Sequence, residues 1–466
     1  MNSTTQLLEP EIRELINERR FVELRTALRG MDPADIGELL SELGATEAAI
    51  VFRLLHREEA AEAFAHLETD RQEELIEHLG DERALRVLEE MHPDDRAAFL
   101  DELPAEAAAR LIAKLSPENR RVTQQILNYP EESVGRLMTP DYVRIRPEWS
   151  VDQAIQHIRE HGHDAETINW LFVVGNRLKL LDDLPIRKLL LAPPEATIES
   201  LCDGRVPSLN ATDDREEAVR VMGRYDRTAL PVVDAGGHLL GIVTFDDVAD
   251  VAEEEATEDI QALGGVAALD QPYMETGAAE MFLKRGGWLG VLFIGGVFTV
   301  VVLGAFERQL ERTAALALFI PLVISCGGNS GSQAATLVTR ALALEEVEPA
   351  DWFRIVRREL LSGLMLGLAL GLLGVAVVLA WRRLAHGADD PGPEIGAGAL
   401  AFTVASAVTG VVTWGTIVGS LLPLGLRKLG LDPAVASTPL VATLMDTSGM
   451  LIYFGVAVLM LRSSVG

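Results

Sequence analysis

Apolar residues recur along this chain in three rhythms, and each predicts a different kind of structure. Between residues 27 and 128 the period is twelve: Met31, Leu43, Leu55, Leu67, Leu79, Met91, Leu103 and Leu115 share one register. Eight and nine residues after several of these come apolar pairs: Leu39-Leu40, Val51-Phe52, Leu75-Ile76, Phe99-Leu100 and Leu111-Ile112. Caps and breakers such as Asp32-Pro33, Gly44, His92-Pro93 and Ser116-Pro117 follow the anchors. Twelve residues hold one short amphipathic helix and a turn, so the pattern predicts an α-solenoid within an N-terminal domain, residues 1–130. From 131 to 250 short β runs alternate with helical patterns. From 284 to 466 the apolar stretches lengthen to about 286–306, 314–338, 360–381, 397–426 and 437–461, each long enough to span a bilayer.

The middle region repeats once. "ALPVVDAGGHLLGIVTFDDVAD" reads as two β runs around a Gly-Gly turn, then a helix start at Asp246-Asp247. With the helical "DDREEAVRVMGRYD" before it, this βαββα order resembles a CBS module, and Met138-Thr139-Pro140 opens an earlier copy. The tandem modules occupy about 136–197 and 205–250. The resemblance implies adenine-nucleotide binding through Thr244 and Asp247. The first copy has Pro185 and Lys188 at those places, and its strand-turn region "LFVVGNRLKLLDDLP" reads as shortened.

The fifth apolar stretch carries Asp446, about 14 Å from the start of the run at Ser437 at ~1.5 Å per residue. A carboxylate at that depth costs at least ~2.5–3.5 kcal/mol, so a compensating partner or water is required. The second stretch, "FIPLVISCGGNSGSQAATLVTRA", is the other polar one. Pro321 and Gly327-Gly328 are expected to loosen its helix and free carbonyls, and Asn329, Gln333 and Thr336 form one polar face. Amide, hydroxyl and carbonyl oxygens with one carboxylate suit a hydrated Mg²⁺ ion. The plainer reading is that these groups bond to Asp446 and glue two helices together. In the third stretch Gly363, Gly367 and Gly371 make a small-residue stripe for a helix of the same chain or of a second subunit.

Charge sharpens the division. Residues 277–466 hold 13 of the 41 Lys+Arg and 13 of the 70 Asp+Glu, so the formal charge of −29 belongs to the first 276 residues. Such a body repels nucleic acid and attracts cations. No apolar leader precedes it, which predicts a cytoplasmic N-terminus. With that orientation eight Lys or Arg flank the spans inside and five outside, Arg308 and Arg312 among the latter, and the C-terminus lies outside. The two cysteines, Cys202 and Cys326, fit no disulfide framework, and His157, His161 and His163 would need further ligands to hold zinc.

The remaining acidic feature is "DDVADVAEEEATEDIQALGG", predicted to open a long connecting helix over 251–283. Asp247, Asp250, Glu254 and Glu258 share one face, with Asp246, Glu255 and Asp259 beside them. Like charges at these spacings oppose the helix. They are either a solvated surface or, with Asp94 and Asp95 of the solenoid, a cation sensor.

Solenoid, CBS pair, acidic connecting helix and five-helix α transmembrane domain together resemble the MgtE family of magnesium channels. The most specific stretches are "PLVISCGGNSGSQAATLVTRALA" and "LGLDPAVASTPLVATLMDTSGMLIYF". The resemblance implies a non-enzymatic homodimer in the cell (inner) membrane, its pore lined by the second and fifth spans of both chains. It implies that Asp446 attracts hydrated Mg²⁺, helped by Gly328, Asn329 and Ala442. It implies that Mg²⁺ held by Asp94, Asp95, Asp246, Asp247, Asp250, Glu254, Glu255, Glu258 and Asp259 shuts the pore. A proton- or sodium-coupled carrier, or a membrane ion sensor without transport, are the alternatives the residues leave open.

Overall fold

The computed structural model describes residues 3–79, 81–163, 165–269, 273–274, 276–307, 314–386 and 396–462. Arg308 and Arg312 lie outside them. Two compact units emerge, Met1–Glu253 and Glu254–Gly466.

The first unit opens with the predicted solenoid. Eight short helices from Pro33–Glu42 to Pro117–Leu127 follow one another at the twelve-residue period, preceded by Ser3–Asn17 and Phe21–Leu28. Asp32 and Ser116 accept from the backbone N–H groups of Ala34 and Asn119, and Pro33, Pro93 and Pro117 stand in first turns. The register residues form the core: Leu43, Leu67, Leu79, Met91 and Leu115 are buried, with Met31, Leu55 and Leu103 packed against them. Phe64 sits edge-on between Phe52 and Phe99, 6.2 and 5.3 Å away.

Two like-built sheets follow. β1 (Tyr142–Ile145) runs parallel to β2 (Thr167–Val174), which pairs antiparallel with β3 (Leu180–Pro185). β4 (Leu209–Asn210), β5 (Ala229–Val233) and β6 (Leu239–Thr244) repeat that order. The modules exchange their entry segments. Val134 and Met138 sit in the core of the second with Leu209 and Val243, and Ile198 in the core of the first with Val143 and Leu171. Thr139 and Ile242 exchange N–H···O bonds of 2.8 and 2.9 Å. Trp170 pairs with Pro185 as Ala229 pairs with Thr244, so Pro185 and Lys188 occupy the places of Thr244 and Asp247. The first hairpin is not shortened. Its ladder runs from Trp170/Pro185 to Val174/Leu180, matching Ala229/Thr244 to Val233/Leu239; a tight turn through Arg177, φ +57°, takes the place of the Gly-Gly turn.

The expected connecting helix is shorter than the sequence pattern suggested. It runs from Phe245 to Leu263 and ends at Gly264-Gly265, where φ is +74° at Gly265. The second unit then holds five membrane-length helices, called here spans one to five: Ala278–Ala305, Ala314–Ala343, Trp352–His386, Ala397–Lys428 and Thr438–Arg462. Span four is the hub. A Cβ on Gly415 would lie 2.5 Å from the Gly327 carbonyl oxygen, and one on Gly419 would overlap that of Gly331. The Gly363, Gly367 and Gly371 stripe also packs on span four, against Thr416, Thr409 and Ala405 of the same chain.

Span two does not break as its composition suggested. It is one continuous helix, because backbone groups at membrane depth have no water to turn to. Gly327 is buried against Val411 and Met445, so the glycines serve close approach rather than unwinding. Pro321 leaves one carbonyl of the preceding turn without its usual donor, and the buried Tyr453 hydroxyl donates to the adjoining Leu316 carbonyl at 2.7 Å.

Gly419→Val is therefore expected to lower the melting temperature and the monodisperse yield in detergent, at the ~1–3 kcal/mol scale of overpacking. Gly425→Ala, which meets nothing within 4 Å, is expected to leave both unchanged. Equal behaviour of the two variants would contradict this packing.

Candidate functional site

Two groups of polar residues stand out, one in each unit. In the membrane-length unit, spans two and five meet where a Cβ on Gly328 would come 3.8 Å from the Ala442 Cα. Val441 and Met445 are fully buried. Ala442 and Asp446, four residues apart, stack on the adjoining face of span five. Asp446 is exposed in the single chain and has no hydrogen-bond or ion-pair partner among the described residues. Ser325, Asn329, Gln333 and Thr336 are likewise exposed on span two. The Asn329 amide donates only to Ser325 Oγ, at 3.5 Å, and Thr336 Oγ1 to the Ser332 carbonyl at 3.0 Å. Among the described residues of this chain none of these groups bonds to Asp446, so the helix-gluing contact is not formed within it. Gly328 contributes space and an in-helix carbonyl, not a freed one.

Thr447, next to Asp446, shares a 2.8 Å hydroxyl–hydroxyl bond with Thr299 of span one. That bond, a 3.2 Å bond from Trp288 Nε1 to Ser437 Oγ, and a 4.7 Å stack of Phe306 on Phe454 align spans one and five in parallel.

In the first unit the acidic residues cluster at helix starts. Asp94 and Asp95 occupy the first turn of Pro93–Glu102, and Asp246 and Asp247 that of Phe245–Leu263. An N-terminus is where a helix best tolerates negative charge. It does not suffice here. Asp94 is 7% exposed, and its Oδ1 is buried with no hydrogen-bond partner. Burial, then the charges of Asp247, Asp95 and Glu166, hold its carboxyl far above the ordinary carboxylate range. Burial pushes Asp247 up to about 7, against a 2.5 Å bond donated by the Thr244 hydroxyl. Asp95 and Asp250 are raised by burial as well.

Two residues that the sequence did not single out complete this cluster. His92 precedes the helix and pairs with Glu166, Nδ1 to Oε2 2.6 Å, which lifts the imidazole to about 9. Arg96 is 1% exposed and donates to the Leu88 and Met91 carbonyls and Thr123 Oγ1, bracing the helix that carries Asp94. Neither had a readable signal, because the partners come from afar: Glu166 from the loop before β2, and Thr123 from a later solenoid helix. Among the described residues no three acidic, His or Cys side chains are close enough to hold a metal as they stand. The fit of this cluster to a cation is electrostatic: crowded carboxylates and one orphaned buried oxygen. Glu254, Glu258 and Asp259 are exposed on the later turns of the acidic helix, and Glu255 is half-buried.

His157 and His161 stack at 4.3 Å, His157 half-buried beside Trp149 and His161 exposed.

The chain matches the family described as a divalent cation transporter over residues 320–456, an MgtE intracellular N domain over 31–132, and CBS domains over 134–192 and 198–254. It is 40% identical over 354 residues to a protein of Thermus thermophilus named Magnesium transporter MgtE, covering 76% of each chain. A Bacillus subtilis protein of the same name is 34% identical over 352 residues, 76% of this chain and 75% of its own. A solved cytosolic domain of the Mg²⁺ channel MgtE in complex with ATP is 34% identical, with a TM-score of 0.51 over 52% of this chain and 100% of that one. The soluble part of a magnesium transporter is 26% identical, with a TM-score of 0.51 over 54% of this chain and 99% of that one. The chain belongs to the MgtE family of magnesium transporters.

Proposed function

We propose that this chain conducts Mg²⁺ across the cell membrane as a homodimer, through a pore lined by spans two and five of both copies, and that cytoplasmic Mg²⁺ shuts it. The observation that carries this reading is the unpartnered Asp446 on an exposed polar face of membrane-length helices. Lipid against that face would cost at least ~2.5–3.5 kcal/mol for the carboxylate alone. A second copy facing it across water removes the cost. Mg²⁺ sheds its waters reluctantly, so neutral oxygens from Asn329, Ser325 and Gln333 around two aspartates suit a largely hydrated ion. Gly328 and Ala442 are small enough to leave room for that hydration.

Asp94, Asp95, Asp246, Asp247 and Asp250, with Glu254, Glu255, Glu258 and Asp259 further along the acidic helix, are the regulatory ligands in this reading. Bare, they repel one another and release that helix. A bound divalent cation supplies the missing positive charge. Inverting a 99:1 open bias requires ~5.5 kcal/mol of preference for the shut form, which several weak sites can sum to. Thr244 and Asp247 also offer an adenine nucleotide a hydroxyl and a carboxylate in the second CBS module, whereas Pro185 and Lys188 in the first do not. Asp247 stands in both sets, which links nucleotide to Mg²⁺ binding. In this reading the N-terminus and the sensor lie in the cytoplasm and the C-terminus outside.

Asp446→Ala is expected to lower Mg²⁺ flux into proteoliposomes by at least about tenfold, a ~1.4 kcal/mol effect. Unchanged flux would remove the role given to this carboxylate. Flux that depends on an imposed proton or sodium gradient at fixed voltage would favour a coupled carrier instead.

Neutralising Asp247, Asp250, Glu254 and Glu258 together to the amides is expected to keep the channel open at millimolar internal Mg²⁺. Closure with the wild-type midpoint would make the acidic helix a solvated surface.

Stability carries a third signature. Asp247 titrates near 7, above its unfolded value near ~4, so the folded chain binds more protons and loses stability as pH rises between the two. His92, lifted to about 9, contributes fully below ~6.5 and loses that contribution as pH passes 9. In chelator the melting temperature of the full chain is expected to fall from pH 5 to pH 9, and millimolar Mg²⁺ to restore it more at pH 8 than at pH 5. A melting temperature that rises with pH, or equal Mg²⁺ effects at both values, would contradict this.

A further inference from the structure

The end of the acidic helix is held by a side chain that neither the sensor nor the pore uses. Gly265, at φ +74°, turns the chain with its N–H bonded to the Ala262 carbonyl. The turn is fixed by two further bonds: Gln261 Oε1 accepts from Leu269 N–H at 2.8 Å, and the Lys284 carbonyl of span one from Ala267 N–H at 3.2 Å. Against this turn lies the indole of Trp288. A Cβ on Gly265 would stand 2.8 Å from Trp288 Cδ1 and 3.4 Å from Pro439 Cγ, so only glycine admits both neighbours. The same indole donates from Nε1 to Ser437 Oγ at 3.2 Å. Ser437 is fully buried, and its carbonyl accepts the first helical bond of span five, from Val441 N–H.

One ring therefore touches both the end of the acidic helix and the first turn of the helix that bears Asp446. Trp288 belongs to span one, which is also tied to span five by the Thr299–Thr447 bond, one residue from Asp446. Along most of its length span one is exposed: Phe293, Ile294, Phe298 and Val300 are all at least 63% accessible. A half-buried polar donor on so exposed a helix is thus a specific tie rather than part of a general packing face.

We infer that Trp288 is a positioning residue for gating: it couples the turn at Gly265 to Ser437 and so sets the position of span five according to whether the acidic helix is docked. This rests on the function proposed above. The docked arrangement is the shut one, because released carboxylates pull the helix end, and with it the indole's second contact, away from Ser437. The tie acts on the open–shut balance and leaves the residues that face the ion untouched.

The test is single-channel recording of the full-length homodimer across a series of internal Mg²⁺ concentrations. Trp288→Phe keeps an aromatic ring and removes the donor; Ser437→Ala removes the acceptor. Each is expected to raise the Mg²⁺ concentration for half-closure by about two- to tenfold, the scale of one lost hydrogen bond. Conductance and ion selectivity are expected to stay at wild-type values. The double variant is expected to match the singles, since both remove one bond. Gly265→Ala, which displaces the ring without altering either partner, is expected to shift the midpoint in the same direction. Variant midpoints equal to or below wild type, additive singles, or altered conductance would overturn the inference. Wild-type channels that conduct but never close with internal Mg²⁺ would instead overturn the gating reading on which it rests.

Discussion

An ionised carboxylate cannot be left against hydrocarbon, and this constraint organises the membrane-length half of the chain. Asp446 is exposed on the single chain, yet its helix is apolar enough to span a bilayer. Neighbouring side chains do not neutralise it. The face it occupies is lined by amide and hydroxyl groups that are themselves only lightly bonded. Water and a second polar face are what such an arrangement needs. The same demand explains why the glycines of spans two and four are spent on backbone-to-backbone packing: the scaffold around the polar face must be rigid without polar glue.

The first unit meets the same electrostatic problem with opposite logic. There carboxylates are gathered until they are unfavourable. Asp94 and Asp247 are both raised, and Asp94 Oδ1 goes without a partner. Arg96 and the His92–Glu166 pair brace the cluster but do not neutralise it. An array short of positive charge is sensitive to whatever cation arrives, so in the proposed function a pore for divalent cations and a divalent-sensitive body form a feedback loop. The acidic helix and Trp288 are the mechanical part of that proposed loop.

Much of this was legible in the sequence because each half obeys a simple periodicity. The twelve-residue register named the solenoid core from Met31 to Leu115, and the repeated βαββα order located Pro185 and Lys188 opposite Thr244 and Asp247. What misled was composition taken without its surroundings. Pro321 and Gly327-Gly328 look like helix breakers, but inside a helical bundle glycine is a close-packing residue and the cost of broken backbone bonds is high. The connecting helix was expected to reach residue 283, yet Gly264-Gly265 end it after Leu263. His92, Glu166, Arg96 and Trp288 were illegible because their roles come from partners up to 149 residues away in sequence.

In the proposed pore, position 446 faces water that Mg²⁺ can enter. The most direct measurement of this is thiol accessibility of Asp446→Cys in a full-length background with Cys202 and Cys326 replaced by Ala, using a membrane-impermeant cationic reagent. Labelling is expected in reconstituted protein, and slower labelling as Mg²⁺ is raised. A thiol that stays unreacted from both sides of the membrane at every Mg²⁺ concentration, while reacting fully after denaturation, would contradict it.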